Sequence, residues 1–327
     1  MLPSATEIIY TLGAEDWLCG ISCDCDFPPE VSTKPVVSAK VLPITDDSAP
    51  ADIDTMVRSQ LDVSDSIYSL DRELIQDLRP ELILAQDLCR VCAVPSGHIE
   101  EALEFIGCSA EVLSLDPHSL EEVFDNVLIV GRAVGRLDQA EGFVASARAR
   151  LEAVRAATDS VTPKRIIAVE WPDPLFIGGH WIPEMITIAG GVDLLGWSRK
   201  PSRTVTWREV AEASPEVIVY IPCGYDLRHA VEHLPELFRV PEFGGTPAAR
   251  DDNVFVLDSS AYFSRSGPRL IDGVEILAGI LHPDVMGSPP SRHGRACGIA
   301  RERGRDIRSG MNIHSLCCDT TSPCCLQ

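Results

Sequence analysis

Four cysteines and one histidine carry the densest coordinating chemistry in the sequence. Cys23 and Cys25 flank Asp24, Cys89 and Cys92 stand with two residues between them, and His180 lies between Gly179 and Trp181. A Cys-x-x-Cys spacing lets two thiolates share one metal ion or one disulfide. Cys23, Cys89, Cys92 and His180 are therefore a candidate soft-metal set for zinc, iron or the cobalt of a chelate. The same cysteines equally suit the small, partly buried apolar role that free cysteine often takes, and His180 equally suits a helix start. Glu170 and Asp173 offer a carboxylate pair for acid–base work, for capping or for ligand amides. Arg265 and Arg269 offer cations to a carboxylate or phosphate, or to the chain's own acids.

The elements that must position these groups follow from spacing. Apolar residues recur at alternating steps of three and four from Leu120 through Val130 and Leu137 to Val154. With Ser119 and Glu122 as a capping box, the pattern predicts one helix over 119–157, roughly 55 to 60 Å long. On each side the pattern is α/β. Ser4 and Glu7 form a second expected capping box, ahead of a short helix stopped at Gly13. Expected strands are Leu18–Ile21, Leu82–Ala85, Glu111–Leu115 and Arg165–Val169, with helices at Ile53–Val63, Asp71–Leu78 and Gly97–Ile106.

Two stretches repeat. Glu7 to Asp16 aligns with Glu184 to Asp193, glycine on glycine. Arg72-Glu73 followed by Pro80-Glu81-Leu82 aligns with Arg208-Glu209 followed by Pro215-Glu216-Val217. A duplicated lobe follows, with boundaries at 1–118 and 158–286 and the helix as a bridge between two parallel-sheet lobes. A strand precedes the helix at Glu184, so the first lobe, which begins at its helix, is expected to lack its opening strand. From residue 287 to 327 the periodicity is lost and Pro, Ser, Gly, Arg and Cys dominate, as in a disordered tail.

In open α/β sheets ligands sit beyond the carboxyl ends of the strands. In the first lobe those ends offer Ser4, Asp24, Asp26, Gln86 and Asp87. In the second they offer Glu170, Trp171, His180, Trp181 and Tyr225, then Tyr262, Phe263 and Arg265. Aromatic walls with few polar anchors suit a large, flat, partly apolar ligand.

The totals exclude several classes. A formal charge of −21 repels phosphate backbones, which disfavours nucleic acid. No apolar run reaches the length of a membrane span, and Met1 leads directly into Leu-Pro-Ser, which places the chain as written in the cytosol, or outside it if a leader lies upstream. Phosphate-loop, nucleophile-elbow, His-Glu-x-x-His and dinucleotide motifs are missing from the sequence.

The opening Leu2-Pro3-Ser4-Ala5-Thr6-Glu7, then Asp26-Phe27-Pro28-Pro29, Arg79-Pro80-Glu81-Leu82-Ile83, the mid-chain helix and Gly267-Pro268-Arg269-Leu270 together resemble the type III substrate-binding proteins of ABC importers, those for cobalamin and ferric siderophores. The resemblance runs from Leu2 to Pro283 and is nearest a leaderless cobalamin-binding-like branch. It implies two α/β lobes on one backbone helix, small hinge motion and non-catalytic binding of a corrinoid or related metal chelate in a cleft, with no cofactor required. The alternative is a cytosolic metalloprotein or metal-dependent enzyme built on the Cys/His set. A protein partner docking on the acidic lobe faces is the third expectation.

Overall fold

Gly135 divides the long helix. Instead of one rod over 119–157, the computed structural model has α5 at Leu120–Ala133 and α6 at Leu137–Thr158. It describes residues 1–287 apart from 46–47, 65, 89–94 and 107–108, together with 296–299 and 314–315. Gly135 adopts φ 64. The Arg136 N–H donates to Gly131 O at 2.6 Å and the Gly135 N–H to Arg132 O at 3.3 Å, the paired bonds by which a left-handed glycine closes a helix. A Cβ on Gly131 would lie 2.5 Å from Ala140 Cβ, so α5 and α6 meet closely at this corner. Val130, Ala140, Val144 and Leu151 are all buried, and the apolar seam therefore continues through the break. Periodicity is blind to a turn that preserves phase.

The chain divides into two units: 1–146 with 265–268, and 147–264 with 269–327. Helix α6 contributes to both. In the first unit, α1 (Pro3–Thr11) is followed by β1 (Ser38–Lys40), α2 (Pro50–Leu61), β2 (Tyr68–Leu70), α3 (Arg72–Leu78), β3 (Leu82–Ala85), α4 (Ser96–Ile106) and β4 (Glu111–Ser114). Strands β3 and β4 pair in parallel, Leu82 opposite Glu111, whereas β1 and β2 pair antiparallel. The expected strand Leu18–Ile21 is reduced to a single parallel bridge between Ile21 and Val36. Ile67, Ile75, Ile83, Ala85 and Ile99 form the core here. The expected capping box at Ser4 is absent. Leu2 is the N-cap and Pro3 the first helical residue, so Ser4 and Glu7 lie inside α1 and their side chains are available for tertiary bonds.

The second unit is built on β5 (Lys164–Pro172). Its start pairs in parallel with β7 (Gly191–Asp193) and its middle with β9 (Val217–Tyr220), which in turn pairs in parallel with β10 (Val254–Leu257). Its end folds back antiparallel onto β6 (Leu175–Ile177), and β6 pairs with β8 (Arg203–Thr204). The α/β class stands, with sheets that are parallel at the centre and antiparallel at the edges. Helices α7 (Ile182–Ile188), α8 (Trp207–Ala213), α9 (Leu227–Phe238), α10 (Pro241–Gly244), α11 (Pro247–Arg250), α12 (Ser259–Tyr262) and α13 (Leu270–Leu281) complete it. Ile167, Ile218, Tyr220 and Val256 pack with Leu234, Leu237 and Phe243 in a core where both sheet faces are covered, which is why these strands read as unbroken apolar runs. Arg150 of α6 bonds Asp272 at 2.5 Å and Glu275 at 2.7 Å, fixing α6 to α13. In the expected tail, β11 (Ala296–Ile299) pairs antiparallel with β10, and β12 (His314–Ser315) pairs with β11. This corrects the expectation of a wholly disordered tail at those residues.

The repeat is structural. Helix α3 ends in left-handed Arg79 at φ 44 before Pro80 and β3; α8 ends in left-handed Ser214 at φ 52 before Pro215 and β9. Gly13 and Gly190 close α1 and α7 with φ 63 and 81.

Candidate binding rims

In the first unit the polar residues expected at the strand ends fall into hydrogen-bonded groups, one of them around Arg265. Its guanidinium grips both carboxylate oxygens of Asp26 and donates to Glu7 Oε1 at 3.4 Å and Asp24 O at 3.1 Å. Gln86 Nε2 donates to Leu115 O at 3.0 Å and Ser266 Oγ at 3.3 Å, and Ser266 donates to Ser4 Oγ at 3.3 Å. Asp24 accepts from Tyr68 OH at 2.8 Å and pairs with Lys40 at 2.7 Å. Asp87 accepts from Ser96 N at 2.9 Å and from two serine hydroxyls, capping α4. Ser4 and Gln86 are buried, so their hydroxyl and amide serve to anchor residues 265–268 to this unit. Asp26, with its side chain 62% exposed against 3% for Glu7, is the more open of the two carboxylates on Arg265.

Cys23 is exposed beside Ser38; the Cys25 thiol lies 3.1 Å from Thr6 Oγ1, and burial pushes its pKa up. Cys89 and Cys92 lie outside the described residues. Among the described residues no group of three or more His, Cys, Asp or Glu side chains is arranged to hold a metal ion. The set Cys23, Cys89, Cys92 and His180 is thus not assembled from described residues.

In the second unit the loops following β5, β9 and β10 are laced together. Cys223 N donates to Glu170 O at 2.9 Å, Ser260 N to Tyr225 O at 3.1 Å and Ser259 Oγ to Ile221 O at 2.8 Å. Asp258 caps α12 through Ala261 N at 2.9 Å. On this rim Trp171 and Tyr225, both half-buried, meet edge to face with ring centroids 5.4 Å apart, and His233 lies 5.3 Å from Tyr225. Burial, then Glu236, pushes the Tyr225 phenol up to about 12, so it stays protonated at neutral pH. Trp181, Tyr262 and Phe263 depart from expectation. They are buried, and Trp181 Nε1 donates to Phe263 O at 2.8 Å, so these three brace the loop from inside. His180 is held by its backbone, its N–H on Lys200 O at 2.6 Å, with φ 49.

Glu170 is positioned rather than paired with Asp173. Ser202 Oγ and Gly179 N donate to its carboxyl. Burial raises its pKa above the ordinary carboxylate range against those two bonds. A carboxyl with a raised pKa takes up a proton on folding. Its favourable contribution is full below the unfolded pKa and is lost as pH rises through the folded one. Wild-type protein should therefore lose stability relative to Glu170→Gln as pH rises above the ordinary carboxylate pKa of about 4, read as urea midpoints. A difference between the two that does not change with pH would refute the assignment.

The sequence reading missed Trp197, Lys200, Ser202 and Arg203. The available signal was a basic run, Arg199, Lys200 and Arg203, in a strongly acidic chain.

A model of the family described as periplasmic binding protein matches residues 3–261. The chain is 25% identical over 297 residues, 88% of its length and 80% of the relative's, to the uncharacterized ABC transporter substrate-binding lipoprotein YvrC of Bacillus subtilis. It is 23% identical over 278 residues, 84% of its length and 85% of the relative's, to the vitamin B12-binding protein of Vibrio cholerae. The periplasmic heme-binding protein RhuT from Roseiflexus sp. RS-1 superposes with a TM-score of 0.64 at 19% identity, covering 87% of this chain and 97% of that one. These matches overturn the cytosolic location expected from the sequence, because the family is periplasmic and the Bacillus relative is a lipoprotein. The chain belongs to the periplasmic binding protein family, as a substrate-binding protein of the ABC-importer type and not an enzyme.

Proposed function

We propose that this protein binds a corrinoid, or a kindred metal tetrapyrrole, at the strand-end loops. The observation that carries the reading is the half-buried Trp171–Tyr225 pair at the carboxyl ends of β5 and β9, on loops laced to one another. A flat macrocycle gains from aromatic edges and faces fixed before it arrives, because little side-chain entropy is then lost on binding. The vitamin B12-binding relative and the heme-binding structure support the same ligand class. The chelate is cargo, and release to an importer requires docking on a membrane transporter. A charge of −21 favours a basic surface on that partner.

Cyanocobalamin and haemin titrated into the protein should each be tested for a shift in absorption bands that saturates at one ligand per chain. Replacing both Trp171 and Tyr225 with alanine should weaken the ligand that binds about thirtyfold, the equivalent of about 2 kcal/mol. Absence of binding to any corrinoid, haem or siderophore would overturn the ligand class.

A further inference from the structure

We propose that the Trp197–Arg203 loop binds an anionic substituent of the ligand, a carboxylate or a phosphate, and so selects chelates that carry such an arm over those that lack it. The inference rests on the ligand class proposed above and adds a recognition element to the same unit.

Three cations, Arg199, Lys200 and Arg203, fall within five residues of a chain whose formal charge is −21. Lys200 Nζ lies 5.5 Å and Arg203 Cζ 5.2 Å from the centre of the Trp197 ring, which is 49% exposed. Both cations are thereby gathered about one indole, where the ring restricts their motion without neutralising them. Arg203 Nε donates to Leu195 O at 2.8 Å, which steadies the guanidinium further.

Three carboxylates beside this loop hold other hydrogen bonds, although the charge of Arg203 bears on Asp193 and Glu209. Glu170 accepts from Ser202 and Gly179, Asp193 accepts from Gly196 N at 2.7 Å and Leu195 N at 3.1 Å, and Glu209 caps α8 through Thr206. Burial raises the pKa of Glu170 and of Asp193, which lessens their opposing charge, whereas the bonds from Thr206 hold Glu209 below the ordinary carboxylate range.

The loop is also rigid and adjoins the aromatic rim. Trp197 N donates to Gly178 O at 3.3 Å, Arg199 N to His180 O at 2.8 Å and His180 N to Lys200 O at 2.6 Å. Glu170 joins the two regions. Its carboxyl holds Ser202 of the basic loop, and its carbonyl holds Cys223, two residues from Tyr225. A chelate on Trp171 and Tyr225 that carries an acidic arm on the Glu170 side would meet Lys200 and Arg203, while Arg228 lies beside His229 on the Tyr225 side, and arginine suits two-oxygen anions in particular.

The test compares two ligand pairs on the intact protein. Haemin carries two carboxylates that its dimethyl ester lacks, and cobalamin carries a phosphate-bearing arm that cobinamide lacks. Wild type should prefer the anion-bearing member of one pair by about tenfold, weakening with salt, and the pair that shows the preference identifies the anion. Lys200→Glu, at an exposed position that should not disturb folding, should abolish the preference, judged with the haemin pair by an affinity for the dimethyl ester that stays within about twofold. A preference retained in Lys200→Glu, or absent from wild type in both pairs, overturns the inference while the ligand class survives. Failure of all four compounds to bind wild type removes the ligand class and this inference together.

Discussion

Arg265→Ala should destabilise the protein by about 3 kcal/mol or more, seen as a lower urea midpoint with little change in slope. Glu7 is 3% exposed in the middle of α1, and Arg265, itself 13% exposed, is the cation that bonds it. Burial opposes the charge on Arg265, and its hydrogen bonds to Asp26 with the charges of Asp26 and Glu7 more than offset it, so the guanidinium is held firmly protonated. Deleting the cation removes an ion pair from a buried carboxylate, and a buried charge that is less well compensated is the costly outcome. Asp26→Asn is the milder change, about 1 kcal/mol or less, because that carboxylate is 62% exposed. Arg265→Met combined with Glu7→Gln should recover most of the loss, since both charges then leave together. A midpoint for Arg265→Ala indistinguishable from wild type would show that residues 265–268 are not held to the first unit by this ion pair.

The sequence reading succeeded where a local signal had one physical outcome. Leu82–Ala85 is a strand at the expected bounds, and Ser119 caps α5 through Glu122 N at 3.3 Å. The helix expected over Asp71–Leu78 does end before Arg79-Pro80, because a residue preceding proline avoids the helical region. Prediction failed where two outcomes share one pattern. The seam from Leu120 to Val154 keeps its phase across Gly135, so only the glycine announced the corner. Ser4 and Glu7 have capping-box spacing, yet Pro3 begins the helix and commits Glu7 to Arg265. Trp181, Tyr262 and Phe263 sit at strand ends as a ligand wall would, but aromatic residues close a core equally well, and burial depends on packing that no local window contains. The Trp197–Arg203 loop matched no motif, and its significance lies in tertiary bonds to Gly178, His180 and Glu170. Location was misjudged because it was argued from where the chain starts, which says nothing about a protein's address.

Gly179→Ala should cost about 2 to 3 kcal/mol and loosen the basic loop, an effect out of proportion to one methyl group. A Cβ at this position would lie 2.4 Å from Ser202 N, 2.6 Å from Lys200 O and 2.7 Å from Pro201 C, all of them backbone atoms. A clashing side chain could rotate away, whereas residues 200–202 can retreat only by lengthening the Lys200 O bond to His180 and the Ser202 bond to Glu170. Relief of the clash therefore comes at the expense of the bonds that hold the cations in place. Gly142 is the contrasting position, inside α6 with nothing within 4 Å of its Cβ direction. Gly142→Ala should stabilise the protein by about 0.5 to 1 kcal/mol by restricting the unfolded chain. Urea midpoints moving in opposite directions for the two variants, with a changed Trp197 emission only in Gly179→Ala, would show that main-chain contact sets the loop. Equal tolerance of both would mean that residues 200–202 yield freely, and the preorganisation ascribed to Lys200 and Arg203 would be lost with it.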